Sequence, residues 1–344
     1  MFRTLLCGAL AAGLVAGAAL PGRTQDAKKT DAPKKKERIA LNEPTEVAKD
    51  KDYAVQGEYV AELSNNQDKY KLGVQVIARG MGEFEVKVLK GGLPGDGWDR
   101  KTTMKAAAKR GDDGTVAITG KDIEGTIAGD KSRIRVGGDE GALTRVERKS
   151  PTLGKQPPEG AVVLFAKEGD EKNWDGGKLV KLSDGTFLNM GVKSKEKFQA
   201  FTAHIEFRLP WMPHSLGQGR GNSGVYFQDR YECQVLDSFG LSGENNECGG
   251  IYTQHKPKEN MCLPPMVWQT YDIDFTPAQF DADGKKTKNG RLTLVHNGVV
   301  VQDNVEFPKE CPGGQKEAPT PGPFQFQNHG DPVVYRNVWV VPVK

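Results

Sequence analysis

The sequence lacks most of the patterns that identify an active site by inspection. No GxxxxGK[ST], HExxH or GxSxG run occurs in its 344 residues. Nucleotide-binding, zinc-protease and serine-hydrolase readings therefore lose their usual support. It also lacks an excess of one charge. Lys and Arg number 48 against 45 Asp and Glu, a formal net charge of +3, and no basic stripe interleaves with aromatics. That removes the electrostatic footprint of a nucleic-acid partner. No CxxC pair and no paired-histidine spacing is present, so neither a metal nor another cofactor is expected. Amphipathic helix is missing too, because MKAAAKR (104–110) is too short to count.

One long apolar run is present, at the start: MFRTLLCGALAAGLVAGAALPG. Arg3 supplies a short positive region, Leu5 to Leu20 an apolar one, and Ala16-Gly17-Ala18 a small-residue cleavage site. Residues 1–22 thus read as a secretory signal peptide, placing the mature chain outside the cell or in a periplasm without a transmembrane segment. A membrane span of roughly 20 apolar residues would need stop-transfer charges that this Ala/Gly-rich run does not have. Loss of Cys7 leaves Cys233, Cys248, Cys262 and Cys311. An even number in an exported chain favours disulfides, and a Cys248–Cys262 bridge is expected.

Composition then divides the chain. Residues 23–52 are rich in Lys, Asp and Pro with few apolar residues, and read as a disordered tether. From 53 to 150, period-2 runs such as KLGVQVIARG, EFEVKVL and SRIRV alternate with GGLPGDGW and RGDDG turns. That is a small antiparallel β domain. Trp98 within GGLPGDGW is expected to anchor its turn rather than present a ligand. PTLGKQPPEG (151–160) is a second linker. Residues 161–344 resume the strand pattern at a larger scale and predict a two-layer β-sandwich, so the whole chain is all-β.

The polar residues of this second domain carry the functional signal. Alternation along a strand puts Ile205 and Phe207 on one face and Glu206 and Arg208 on the other. Phe324 and Phe326 oppose Gln325 and Gln327, with His329 following in phase. In GVYFQDRYECQVLD, an odd turn or a bulge gathers Tyr226, Gln228, Glu232 and Gln234 on one surface, leaving Val225 and Phe227 to the core. Such a face, poor in Lys and Ser, suits a groove for sugar hydroxyls and apolar ring faces rather than plain solvent.

These residues resemble the bacterial 3-keto-disaccharide hydrolase family. The likeness rests on IEFR (205–208), RGNSGVYFQDRYECQVLDS (220–238), GGIY (249–252), the Trp268–Tyr271–Ile273 run, Asn297-Gly298, FQNHG (326–330) and YRNVWV (335–340). It spans about residues 160–344. The sequence departs from the family's pattern at FAKEGDEKNW (165–174), and Cys233 stands where an aliphatic residue is expected. The resemblance implies a concanavalin-A-like jelly roll and cleavage of glycosides carrying a C3 ketone. That ketone acidifies the C2 proton, so a base can form an enolate, the C1 aglycone can leave, and water can add to the enone.

On this reading Glu232 is the expected base and His329 the acid. Arg208 holds the enolate oxygen, while Glu206 orients Arg208 or acts as a second carboxylate. Asn222, Tyr226, Gln228, Gln234 and Gln327 are expected to bind the carbohydrate substrate. Two alternatives stay open: a noncatalytic lectin-like binding protein, and a conventional glycosidase using Glu206 and Glu232. Arg336 is expected to anchor the last strand.

Overall fold

A computed structural model describes residues 38–64 and 68–343. The proposed signal peptide and the first part of the tether lie outside the described residues. Among the described residues, no helix is long and apolar enough to cross a membrane.

The first domain is a closed antiparallel barrel of eight strands in chain order. They are β1 (Gly57–Ser64), β2 (Lys69–Gly80), β3 (Glu83–Lys90), β4 (Thr103–Arg110), β5 (Val116–Gly120), β6 (Ile123–Ile127), β7 (Arg133–Val136) and β8 (Asp139–Val146). Pairing of β1 with β8 closes it and leaves no free edge. Alternation fills the interior through cross-strand pairs such as Val74–Val88, Val76–Val86 and Phe84–Ala108. The alanines of MKAAAKR lie in β4 because Ala106 and Ala108 point inward and Lys105 outward. Trp98 is part-buried and donates to the Thr102 carbonyl at 3.2 Å, holding its turn as expected.

Trp211 of the second domain joins the barrel's core cluster, fully buried. Its indole N–H donates to Asp50 at 2.8 Å, and its ring meets Tyr53 edge-on at 5.3 Å. Leu41 and Trp211 exchange backbone hydrogen bonds. Residues 38–52, assigned to the tether by composition, are therefore structured, with a short helix α1 at Pro44–Val47. Few apolar groups are needed there, because Leu41, Asn42 and Val47 find partners supplied by the rest of the chain.

The second domain is the expected sandwich. Its strands are β9 (Val162–Phe165), β10 (Trp174–Asp175), β11 (Leu179–Leu182), β12 (Gly185–Asn189), β13 (Val192–Ser194), β14 (Phe201–Arg208), β15 (Ser223–Phe227) and β16 (Tyr231–Val235). There follow β17 (Trp268–Thr276), β18 (Gln279–Phe280), β19 (Lys286–Lys288), β20 (Gly290–His296), β21 (Val299–Phe307), β22 (Gln325–Phe326) and β23 (Val334–Pro342). One sheet has five strands in the order β10-β13-β22-β15-β16. The other has eight: β11-β12-β23-β14-β17-β20-β21, with β9 on β23.

An aromatic core joins the two sheets. Phe201 stacks on Phe275 at 5.0 Å and meets Phe324 at 4.8 Å, and Tyr231 stacks on Phe307 at 4.3 Å. Large rings that interdigitate between sheets supply most of such a core's burial.

The expected Cys248–Cys262 disulfide is not formed. All four described cysteines are buried free thiols. Cys248 contacts the Tyr271 hydroxyl at 3.2 Å, and Cys262 lies against the Leu236 and Leu263 carbonyls at 3.6 and 3.5 Å. Each is satisfied as a thiol inside the core.

Candidate active site

The hairpin of β15 and β16 turns through three residues, Gln228 to Arg230, with Gln228 and Asp229 at φ of 54° and 59°. Arg230 N–H closes it onto the Phe227 carbonyl at 2.9 Å. Because the turn is odd, Tyr226 pairs with Glu232 and Gly224 with Gln234. Val225, Phe227, Tyr231 and Cys233 face the core. The polar side chains gather on the outer face of the five-stranded sheet, as the odd-turn reading predicts.

Three groups meet there. The Tyr226 hydroxyl stands 2.7 Å from Glu232 Oε2 as donor. Gln327 Nε2 donates to that hydroxyl at 3.4 Å, and the Gln327 backbone N–H holds the Gly224 carbonyl at 2.8 Å. Gly224 is needed at its position, since a Cβ would lie 2.3 Å from Glu232 Oε1 and 3.1 Å from Gln327 Oε1. Those two oxygens flank one notch. Gln327 Oε1 is buried without a partner, and Glu232 Oε1 carries no hydrogen bond among the described residues. Two acceptors without a donor between them suit a substrate hydroxyl or C–H acid.

Glu232 is 2% exposed. Burial raises its carboxyl to about 7, opposed only in part by the Tyr226 hydrogen bond. No cation contributes. A carboxylate poised near neutrality is what general base catalysis requires. Burial also pushes the Tyr226 phenol well above its ordinary value, with the Glu232 charge adding to the shift.

Along the same face, Gln234 Nε2 reaches Gln218 Oε1 at 3.2 Å and the Asn246 carbonyl at 3.4 Å. Asn222 donates to the Gln218 carbonyl at 2.8 Å, and its own Oδ1 is buried and unpaired among the described residues. Gln218, in the loop before β15, joins the two amides that sequence reasoning selected. Its position in a Gly-rich loop gave no signal of this.

Other predicted residues lie elsewhere. Glu206 and Arg208 point outward from β14, on the far sheet, with Ile205 and Phe207 between them and the core. Glu206 is fully buried under the second linker and accepts from Gly154 N–H at 2.5 Å, Arg336 Nε at 2.7 Å and Asn337 Nδ2 at 2.9 Å, with His204 at 3.4 Å. Burial alone would raise its carboxyl, but hydrogen bonds from His204, Asn337, Gly154 and Arg336 outweigh it and hold it at about 2. Arg208 pairs with Asp184 and lies between the Phe187 and Trp268 rings at 5.1 and 5.0 Å.

Both residues are structural, and Arg208 cannot reach an enolate beside Glu232. The conventional glycosidase reading falls with them. Carboxylates on opposite outer faces, with sheets about 10 Å apart between them, exceed both the ~5–5.5 Å and ~6.5–9.5 Å separations such enzymes use.

Gln228 does not line the groove either. Its amide donates to the Phe198 carbonyl at 3.0 Å and to Gln199 at 2.8 Å, and it accepts from Arg230, so it holds the turn. His329 is exposed in the loop two residues past Gln327 and makes no hydrogen bond to Glu232. Arg336 anchors the last strand as expected, through Glu206 and by stacking 3.9 Å over Trp268. A separate cavity of about 340 Å³ between barrel and sandwich touches Tyr53, Arg145 and Trp268, but Arg145 already binds the Gln56 carbonyl and Arg148 binds Glu58.

Among the described residues, no cluster of three or more His, Cys, Asp or Glu side chains could hold a metal. No curated protein matches the chain. Two solved structures from Parabacteroides distasonis ATCC 8503, each described as a glycosyl hydrolase, are similar to it. One is 30% identical and covers 54% of this chain and 85% of its own, with a TM-score of 0.48. The other is 19% identical and covers 54% and 95%, with a TM-score of 0.36. The profile of the 3-keto-alpha-glucoside-1,2-lyase-like domain matches residues 160–341, the whole sandwich. The chain belongs to that family and is a carbohydrate-acting enzyme.

Proposed function

We propose that this is an exported enzyme cleaving glycosides that carry a ketone at C3. One observation supports this reading above the others: Glu232 is buried away from any cation, held at about 7, with Oε1 unpaired beside the Gly224 notch. In the proposed reaction Glu232 takes the C2 proton, and the C2–H electron pair moves into the enolate at C3. The C1–O bond then breaks as the enolate collapses to the enone. Gln327 Oε1 accepts a sugar hydroxyl, and the loosely held Gln234 amide turns its N–H toward the enolate oxygen. His329, exposed at the edge of this face, protonates the departing aglycone from the solvent side. Water added across the enone completes net hydrolysis.

The test is to incubate the purified chain with a 3-keto-glucoside and with its unoxidised parent, following aglycone release from each. Release from the keto sugar alone supports the proposal. Release from both would overturn the C3-ketone requirement, and binding with release from neither would favour a lectin-like protein.

A further inference from the structure

The Tyr226 hydroxyl has one proton and two acceptors. Glu232 Oε2 lies 2.7 Å away and the Pro312 carbonyl 2.9 Å away on the other side. The carbonyl is fixed rather than adventitious. Its loop is tied to the hairpin turn by Cys311 N–H to the Arg230 carbonyl at 2.9 Å and Gln315 N–H to the Asp229 carbonyl at 2.7 Å. Gly313, at φ +82°, lets that loop press close, since a Cβ there would stand 3.0 Å from the Tyr226 hydroxyl. No backbone N–H among the described residues donates to the Pro312 carbonyl. Tyr226 is the donor that the described residues bring to it.

Two hydrogen-bond patterns follow. With Glu232 ionised, the phenol donates to the carboxylate, a charge-assisted bond, and the carbonyl of the exposed Pro312 is left to solvent. With Glu232 protonated, the phenol turns to the Pro312 carbonyl, and the carboxylic acid can itself donate to the phenol oxygen. We infer that Tyr226 is a positioning residue that turns its single O–H between Glu232 and the Pro312 carbonyl as Glu232 gains and loses the substrate proton. The phenolic O–H bond never breaks. Only its direction changes, so the proton that Glu232 gains in its buried site finds the phenol oxygen free to accept it.

The groups around Glu232 leave this pair in control. Tyr226 on β15, Cys311 in the covering loop, and Cys233 and Tyr335 nearby are acids that burial keeps neutral, and none is a cation. The high phenol value agrees with an O–H that rotates rather than ionises.

The role assigned to Tyr226 rests on Glu232 as the base, so the experiment measures Glu232 directly. Infrared difference spectra of the full chain would follow Glu232 ionisation without substrate, assigned with Glu232→Gln. Tyr226→Phe keeps the ring and removes the donor to the ionised form, so the midpoint should rise by about one pH unit. Turnover should show kcat falling about tenfold near neutral pH with KM little changed. Gly313→Ala displaces the Pro312 carbonyl and should move the midpoint the opposite way, which keeps the test open should Tyr226→Phe fold poorly.

An unmoved midpoint in either folded variant would overturn the inference, as would a rise in KM alone, which marks a plain sugar contact. Midpoints that move as expected, in a chain that cleaves no 3-keto-glycoside, would uphold the Tyr226–Pro312 coupling and sink the proposed reaction alone.

Discussion

Glu206 and Glu232 are the same residue type, both essentially inaccessible, each on the outer face of one sheet of the same sandwich. Yet Glu206 is held at about 2 and Glu232 at about 7. Burial pushes both upward. The difference lies in partners: Glu206 is surrounded by a guanidinium, an imidazole, an amide and a backbone N–H, whereas Glu232 has one phenol. Four donors make a carboxylate that fastens the second linker to the sheet. One donor, with an oxygen left open, makes a carboxylate able to take a proton. Burial alone does not separate a structural carboxylate from a reactive one.

Substitution would break this comparison most sharply at Glu232. Glu232→Gln should lower kcat on a 3-keto-glycoside by about 10²–10⁴-fold, the usual contribution of a positioned base, while Glu206→Gln in any folded chain leaves kcat within about tenfold. Equal losses in steady-state kinetics would erase the distinction. In thermal unfolding at neutral pH, Glu206→Ala should cost about 3–5 kcal/mol, because Arg336 loses its buried partner. Glu206 has a depressed folded value, so its stabilisation is present above about 4.5 and disappears as pH falls toward about 2. The difference between wild type and variant should narrow across that window.

Glu232 has the opposite sign. Its folded value exceeds its unfolded one, so ionisation costs stability as pH rises from about 4.5 through about 7. Glu232→Gln should therefore be more stable than wild type at pH 8, by up to about 3 kcal/mol, and equal to it at pH 4. A destabilised variant at pH 8 would show that Glu232 is held in place as Glu206 is. The rate follows the same titration: kcat/KM should rise about tenfold per pH unit up to about pH 7 and then level. An acid limb near pH 4 would mark an ordinary exposed carboxylate.

Much of this was legible in the sequence. Period-2 runs and Gly/Pro punctuation specify an all-β chain in two parts, and the residues of YFQDRYECQ place Tyr226 and Glu232 on a shared face once the turn is odd. Alternation is a local property, so it survives without knowledge of the fold. It also showed that Glu206 and Arg208 share a face, but not which face of the molecule that is.

Tertiary structure decided the rest. The assignment of β14 and β16 to different sheets, which removes Glu206 and Arg208 from the site, depends on pairings such as β14 with β17 and β23, between residues far apart in the chain. So do the Pro312 carbonyl beside Tyr226, the place of Gln218 between Asn222 and Gln234, and the packing of Trp211 with the barrel's core cluster. Sequence by itself determined which side chains alternate, because a strand's geometry is set residue by residue. Only the folded chain decided how many donors each buried carboxylate would meet, and that number separates the fastening at Glu206 from the base at Glu232.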